Sequence, residues 1–304
     1  MHVNATLKKI LLPIATGLAM ALLCFVAVRP YAGDLTWALR GARLLLEGQN
    51  PYTDPTIGPG LPYPFDAPLR YPVPALLLVA PLAWLPYPVA AALFAGVSLA
   101  LLCFVWRAHP ALIGMLLSAP LSIAVAYAQW SPLMVAAAGL PWLGFLLLAK
   151  PSIGLALWAW KPDRRALVGA GLLWVVSLLI MPGWVSAWLG NLTSARYVSP
   201  ILAFPVLALA LLKWRDGRAR LIFLLSLVPQ FAGSSYDHLP LFLAMRTPRQ
   251  GLALALSSWV GVLIVALTRW EGALVLSTYG TALAVLFEEE IRRLWARRIL
   301  APVP

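Results

Sequence analysis

Long apolar runs separated by short polar links make up most of this chain. Runs of roughly 15 to 20 apolar residues recur along its 304 residues, and an α-helix of about that length crosses roughly 30 Å of hydrocarbon. The strict apolar-polar alternation of membrane barrel strands is absent from the sequence. Because backbone polar groups inside lipid must pair within the protein, each run predicts a transmembrane helix. The predicted spans cover about residues 9–28, 72–86, 88–106, 111–128, 131–149, 166–181, 199–213, 219–235, 250–268 and 272–287.

Two shorter apolar pieces, at about 151–160 and 239–245, are too brief to cross a bilayer without tilt or thinning. We interpret them as half-helices that line a cavity, where irregular backbone is tolerated. Segment 72–86 stays open between a full crossing and a re-entrant turn. The sequence thus predicts an all-α, polytopic transmembrane helical bundle with about 10–12 membrane segments, formed as one domain over residues 1–304.

Composition and charge exclude a water-soluble fold. Apolar residues make up 62% of the chain and charged residues 11%, far from the soluble average of about 25% charged. The net charge of +12 comes from Lys and Arg in the short links, so it indicates membrane topology and no nucleic-acid partner. We expect both termini and the tail 288–304 in the cytoplasm of a multi-pass plasma-membrane protein. The segments 30–71, 182–198 and 236–238 then face outward.

The longest link, residues 30–71, begins with a candidate catalytic carboxylate. After Asp34, the spacing predicts an amphipathic helix over 35–47 that lies in the membrane interface, and Gly48 can end it in a left-handed cap. Its predicted polar face consists of Thr36, Arg40, Arg43 and Glu47. Asp34 has two compatible interpretations: an N-cap of this helix, or a general base at the boundary between water and lipid.

A few other ionisable residues are candidates because such groups are costly near a bilayer. Lys150 interrupts a long apolar stretch before a helix-breaking proline, and its alternative role is a cytoplasmic anchor. The segment Tyr236-Asp237-His238 follows an apolar run on the outer side, where His238 is either a proton carrier or phosphate donor, or an interfacial cap. Arg70 precedes a predicted span, where it could hold a phosphate or simply snorkel. With three His residues in all, we expect no metal site, and no motif implies a cofactor.

Several short motifs follow one another in a recognisable order. They are Gly33-Asp34, the segment 44–52 (LLLEGQNPY, which includes Asn50 and Tyr52), Tyr71-Pro72-Val73-Pro74, the segment 80–86 (APLAWLP), Ala128-Gln129-Trp130-Ser131 and Ala149-Lys150-Pro151. In this order they resemble glycosyltransferase family 87 of the GT-C superfamily, most clearly over residues 30–165. Two positions depart from the family pattern, because Ala128 replaces Gly and Ser131 replaces Asn in its Gly-Gln-x-Asn element.

The resemblance implies an enzyme that moves a sugar, typically mannose, from a polyprenyl phosphate to a hydroxyl of a lipid or glycan acceptor on the outer face. It implies that Asp34 is the catalytic base of an inverting displacement. Donor-phosphate or substrate contacts would then come from Arg70, Lys150, His238, Asp237, Tyr236, Gln129, Tyr71, Asn50 and Tyr52. Two alternatives stay open: a lipid or sugar transporter or flippase, and a catalytically silent GT-C-like membrane protein whose cavity beneath Asp34 is purely apolar.

Overall fold

The computed structural model describes residues 2–27, 34–53, 68–192, 197–231 and 235–300. Part of the predicted outer loop, including Gly33, lies outside these residues. The α-helices are α1 His2–Ala27, α2 Leu35–Leu46, α3 Val73–Val79, α4 Tyr87–Trp106, α5 Leu112–Leu116, α6 Ala119–Ala126, α7 Ser131–Ala138, α8 Pro151–Trp160, α9 Arg164–Ile180, α10 Trp184–Leu192, α11 Pro200–Ala203, α12 Gly217–Leu227, α13 Pro248–Thr268, α14 Gly272–Leu286 and α15 Glu288–Leu300.

Shorter elements connect these helices. Within the part of the chain that the structure describes, four stretches are tighter 3₁₀ helices, at Ala80–Leu82, Pro141–Ala149, Pro205–Lys213 and Ser235–Ala244. Two strands of two residues each, β1 Tyr197–Val198 and β2 Gln230–Phe231, pair antiparallel. The protein is therefore essentially all-helical, at 79% helix.

Among the described residues, two helices are long and apolar enough to cross a membrane, α4 and α13. Two bent pairs raise the number of candidate spans to four if each pair is one span: α6 with α7, bent by 120°, and α9 with α10, bent by 99°. The predicted count of about ten spans is not reached among these residues. The described apolar parts of α1, Leu11–Val26, and of α14, Gly272–Leu286, are shorter, and proline or 3₁₀ segments divide several of the other apolar runs. Run 199–213, for example, becomes α11 followed by a 3₁₀ helix that starts at Pro205.

The helix predicted after Asp34 is present as α2, and it ends as the sequence indicates. Gly48 adopts a left-handed φ of +74°, and its N–H donates to the Leu45 carbonyl at 3.1 Å, which satisfies a carbonyl of the last turn. The prediction of a solvated polar face is wrong for two of its residues, since Thr36 and Arg40 are buried. Helix α2 packs against α3, so the protein covers part of the face that the pattern assigned to water.

The elements around the site meet where regular helices are interrupted. The 3₁₀ helix Ser235–Ala244 packs against both α6 and α7, and α8 packs against the 3₁₀ helix Pro141–Ala149. The two predicted half-helices correspond to α8 and to Ser235–Ala244. Polar side chains at the ends of these short elements consequently point toward one region instead of into separate layers of lipid.

Candidate functional site

Asp34 occupies the N-cap position of α2, but its side chain does not cap the helix. Its carboxylate turns away and accepts hydrogen bonds from the amide of Gln129 and from the hydroxyl of Tyr236, the latter at 3.1 Å. The interpretation of the Asp34 carboxylate as an N-cap is therefore wrong. Both hydrogen bonds fall on Oδ2, and none from the described residues falls on Oδ1.

Burial and neighbouring charges act in opposite directions on the Asp34 carboxyl. Burial raises its pKa, since the ionised form loses hydration, and the charge of Asp237 adds to that effect. The ammonium of Lys150 and the hydrogen bonds from Tyr236 and Gln129 lower it. Burial wins, so the pKa of Asp34 lies above its ordinary value. A carboxyl tuned in this direction is a stronger base than an exposed one.

Lys150 lies at the junction between the 3₁₀ helix Pro141–Ala149 and α8. Its Nζ donates to Gln129 Oε1 at 3.0 Å and to Asp237 Oδ1 at 3.0 Å, and it lies 4.8 Å from the centre of the Tyr236 ring. The side chain is only 16% exposed, so Lys150 is not a solvated anchor at the protein surface. Gln129 thus links Lys150 to Asp34, with its carbonyl facing the cation and its amide facing the carboxylate.

Asp237 is the second carboxylate of the cluster. It is 9% exposed, and besides Lys150 it accepts a hydrogen bond from Ser131 Oγ at 3.0 Å. Ser131 begins α7, so this bond ties the start of α7 to the 3₁₀ helix Ser235–Ala244. The Asp237 carboxylate, the Lys150 ammonium and the Gln129 amide form one connected polar network.

A strained turn positions Gln129. Ala128 joins α6 to α7 with a φ of +49°, a left-handed conformation that costs a residue with a Cβ about 1–2 kcal/mol. The Gln129 N–H donates to the Ala124 carbonyl at 2.8 Å, which closes the turn. Glycine adopts this conformation without that cost, so the position where the resembled family carries Gly is one that favours Gly here as well.

The network borders a cavity of about 830 Å³. Asp34, Lys150, Tyr236 and Asp237 line it, together with Arg70. Apolar side chains make up most of the remaining wall: Trp37, Pro72, Ala149, Pro151, Ile153, Trp188, Leu189, Leu192, Val228 and Pro229. The cavity therefore has a charged part and an apolar part, which suits a ligand with both charged and apolar groups.

Arg70 is held at the wall by aromatic residues. Its guanidinium carbon lies 5.2 Å from the centre of the Trp37 ring, and Trp188 Nε1 donates to the Arg70 backbone carbonyl at 2.8 Å. The next residue, Tyr71, also lines the cavity. Two cationic side chains, Arg70 and Lys150, thus border the same space as the Asp34 carboxylate.

Four predicted site residues do not line the cavity: Gln129, which contacts the lining residues Asp34 and Lys150, and His238, Tyr52 and Asn50. His238 is 3% exposed, with its ring nitrogens 2.8 Å from Gln230 Oε1 and from Thr278 Oγ1. It faces a separate buried network, because successive residues of a 3₁₀ helix point about 120° apart, so it is not placed to contact a donor phosphate in this cavity. Tyr52 donates to the Tyr71 carbonyl at 2.9 Å, and Asn50 Oδ1 accepts from the Tyr52 N–H at 2.9 Å. Tyr52 and Asn50 thus lie outside the cavity, where Tyr52 holds the backbone of the lining residue Tyr71 and Asn50 holds Tyr52.

The sequence did not identify some residues that contribute to the site. No motif points to Trp37 or Trp188, which line the cavity, and Ser131 stands out in the sequence only as a departure from a motif, although its hydroxyl contacts Asp237. For Ser131 the available signal was its position two residues after Gln129. Among the described residues, no group of three or more His, Cys, Asp or Glu side chains is arranged to hold a metal ion.

Comparisons with known protein families, with curated proteins and with solved structures find no match to this chain. Any functional assignment consequently depends on the geometry of this cavity and on the motifs that contribute residues to it.

Proposed function

We propose that this protein is a GT-C-type membrane glycosyltransferase that moves a hexose, such as mannose, or a pentose, from a polyprenyl-phosphate donor to a hydroxyl acceptor. The observation that carries the proposal is that a half-buried carboxylate, Asp34, and two cationic side chains, Lys150 and Arg70, line one largely apolar cavity. Sugar transfer from a lipid phosphate needs a base for the acceptor hydroxyl, positive charge beside the leaving phosphate and an apolar surface for the lipid chain. A purely apolar cavity would instead have favoured a silent protein.

In the proposed reaction, Asp34 acts as the general base. The acceptor hydroxyl oxygen attacks the anomeric carbon, its proton passes to Asp34 Oδ1, and the bond between that carbon and the phosphate oxygen breaks with inversion. The electron pair leaves with the polyprenyl phosphate. Gln129 and Tyr236 both donate to Oδ2, an arrangement that orients the carboxylate and leaves Oδ1 toward the acceptor.

Lys150 and Arg70 supply the positive charge for the leaving phosphate. Preorganised charge in a site with little water is usually the largest catalytic contribution, and a guanidinium can bind phosphate through two parallel hydrogen bonds. His238 has no part in this step, since both of its ring nitrogens are engaged elsewhere. The Trp188 and Leu189 side of the cavity gives the prenyl chain an apolar surface.

The proposed function includes a membrane placement that goes beyond the two to four candidate spans. We place the cavity at the outer leaflet and both termini in the cytoplasm, as the positive links indicate. In this arrangement α10, bent by 99° from α9, lies along the outer surface as one wall of the cavity.

The test is transfer of radiolabelled sugar from polyprenyl-phosphate mannose to a membrane-extract acceptor by the purified protein in proteoliposomes. We expect Asp34→Asn to lower the transfer rate by about 10²-fold or more, the range that a general base contributes. The matched control is Asp163→Asn, because Asp163 is also an N-cap residue and its side chain accepts from the Arg165 N–H away from the cavity. An amide can keep that cap.

Two results would overturn the proposal. One is an Asp34→Asn protein that transfers sugar at the wild-type rate. The other is wild-type protein that moves the labelled lipid between leaflets without transferring its sugar, which would support the transporter alternative.

A further inference from the structure

Three basic links of the chain meet at one end of the bundle. Lys213 Nζ donates to the Leu286 carbonyl and to Glu290, each at 2.8 Å. Gln250 Nε2 donates to Glu288 at 2.6 Å. These bonds bring residues 213–220, residues 246–250 and the start of α15 together. The three segments, with α15 counted to residue 293, carry eight Lys and Arg against four acidic residues, so this end of the protein is strongly positive.

Beyond its first turn, α15 presents an apolar stripe that the described part of the protein does not cover. Ile291, Leu294 and Trp295 follow the i, i+3, i+4 spacing of one helix face, and they are 42%, 61% and 67% exposed. The side chains of Arg292 and Arg293 flank the stripe and are 77% and 75% exposed. A basic helix with an exposed apolar stripe is typical of segments that lie in a membrane interface.

The acidic residues of α15 do not cancel this character. Glu290 pairs with Lys213, and Glu288 accepts from Gln250. Glu288 also pairs with Arg292, and Glu289 lies 3.8 Å from Arg293. Both of these i, i+4 pairs involve exposed arginines and are worth little in water, so the two guanidinium groups can exchange them for lipid phosphates. Trp214, 43% exposed, lies at the same end, beside Lys213. Tryptophan is enriched at the level of lipid headgroups.

We propose that this basic end, with α15 as its main element, binds the headgroups of anionic phospholipids in the surface of the membrane. The Arg side chains would contact lipid phosphates, and the stripe Ile291-Leu294-Trp295 would enter the acyl boundary. Positive charge matches an anionic lipid surface, and the same charge repels a second copy of this helix. The inference does not depend on the proposed sugar transfer, because it concerns a different surface.

The test places an environment-sensitive fluorophore on α15 in the full-length protein. Cys24 and Cys103 are buried, so Leu294→Cys supplies one exposed thiol for labelling. The labelled protein is reconstituted in phosphatidylcholine vesicles with and without phosphatidylglycerol, and quenching by a lipid-attached spin label is measured. We expect quenching and a blue shift with phosphatidylglycerol, and loss of both when Arg292→Gln and Arg293→Gln are added.

The matched control changes another exposed basic pair, Arg164→Gln with Arg165→Gln at the start of α9, and should leave the quenching unchanged. Circular dichroism of the labelled variants checks that α15 keeps its helix. Equal quenching with and without phosphatidylglycerol would overturn the proposal. So would a fluorophore that stays in water in both lipids, or one shielded only at high protein density, which would indicate a second copy.

Discussion

The ion pair between Lys150 and Asp237 offers a sharp test of how the site is built. We consider replacing each partner by an apolar residue of similar size, Lys150→Met and Asp237→Leu, alone and together. Each single change leaves one ion in the cluster without its counter-charge. The double change removes both charges, so the four proteins form a double-mutant cycle that isolates the interaction between the two side chains.

The expected magnitudes follow from the geometry. Two unit charges 3.0 Å apart attract by about 5–6 kcal/mol at the effective dielectric constant of about 20 that suits proteins. Dehydration costs several kcal/mol per ion, so the intact pair contributes little net stability, whereas removal of one partner costs about 3–5 kcal/mol. The side chains are 16% and 12% exposed, and water in the cavity can relieve part of the loss. We therefore expect about 3 kcal/mol for each single change, the lower end of that range.

Intrinsic tryptophan fluorescence of the detergent-solubilised protein measures these changes as shifts of the apparent melting temperature. At about 2 °C per kcal/mol for a chain of this size, each single variant should melt about 6 °C below wild type, and the double variant should lose far less than the sum. Asp237→Asn is the matched control, because its amide oxygen still accepts from Lys150 and Ser131, and it should lose less than Asp237→Leu. Strictly additive shifts would refute the view that the two charges depend on each other.

Two further predictions concern the half-buried carboxyl of Asp34 and a close approach of two backbones. Because the folded pKa of Asp34 is raised, its ionisation destabilises the fold as pH rises above the unfolded value of about 3.9. Asp34→Asn cannot ionise, so its melting temperature should rise relative to that of wild type from pH 4 to 8. A difference in melting temperature that stays constant over this range would contradict the prediction. A Cβ at Gly114 would lie 2.3 Å from the Gly251 carbonyl, whereas one at Gly171 would meet nothing within 4 Å. Gly114→Ala should cost at least about 1–3 kcal/mol in melting experiments, and Gly171→Ala should be neutral or slightly stabilising; equal effects would be incompatible with this packing.

The sequence predicted the helical character of the fold better than its division into spans. Apolar content alone identifies α4 and α13, and the spacing of polar residues identifies α2. Apolar content does not reveal that a run such as 111–128 divides into α5 and α6. Hydropathy is averaged over many residues, whereas a proline or a tight turn breaks a helix at a single peptide group. The burial of Arg40 could not be predicted either, since a helical pattern specifies two faces without specifying what covers them.

The same contrast holds at the site. Asp34, Lys150 and the segment 236–238 could be selected because charges are rare in such a chain. Their mutual arrangement could not, since the hydrogen bond from Gln129 to Asp34 joins residues 95 positions apart and depends on the turn at Ala128. His238 shows the limit of selection by residue type: its chemistry suited the proposed reaction, but its backbone position turns it away from the cavity.

The carboxylates of Asp34 and Asp237 differ in their ion pairing, and this difference separates a structural role from a functional one. Asp237 has a direct ion pair with Lys150 at 3.0 Å, which repays part of its dehydration. Asp34 has no ion pair among the described residues, and Lys150 reaches it only through the amide of Gln129. A core selected for stability alone would exchange such a carboxylate for an amide or an apolar side chain. A carboxylate at this position is useful mainly because Oδ1 can accept a proton from a bound ligand. The proposed transfer reaction depends on that proton transfer.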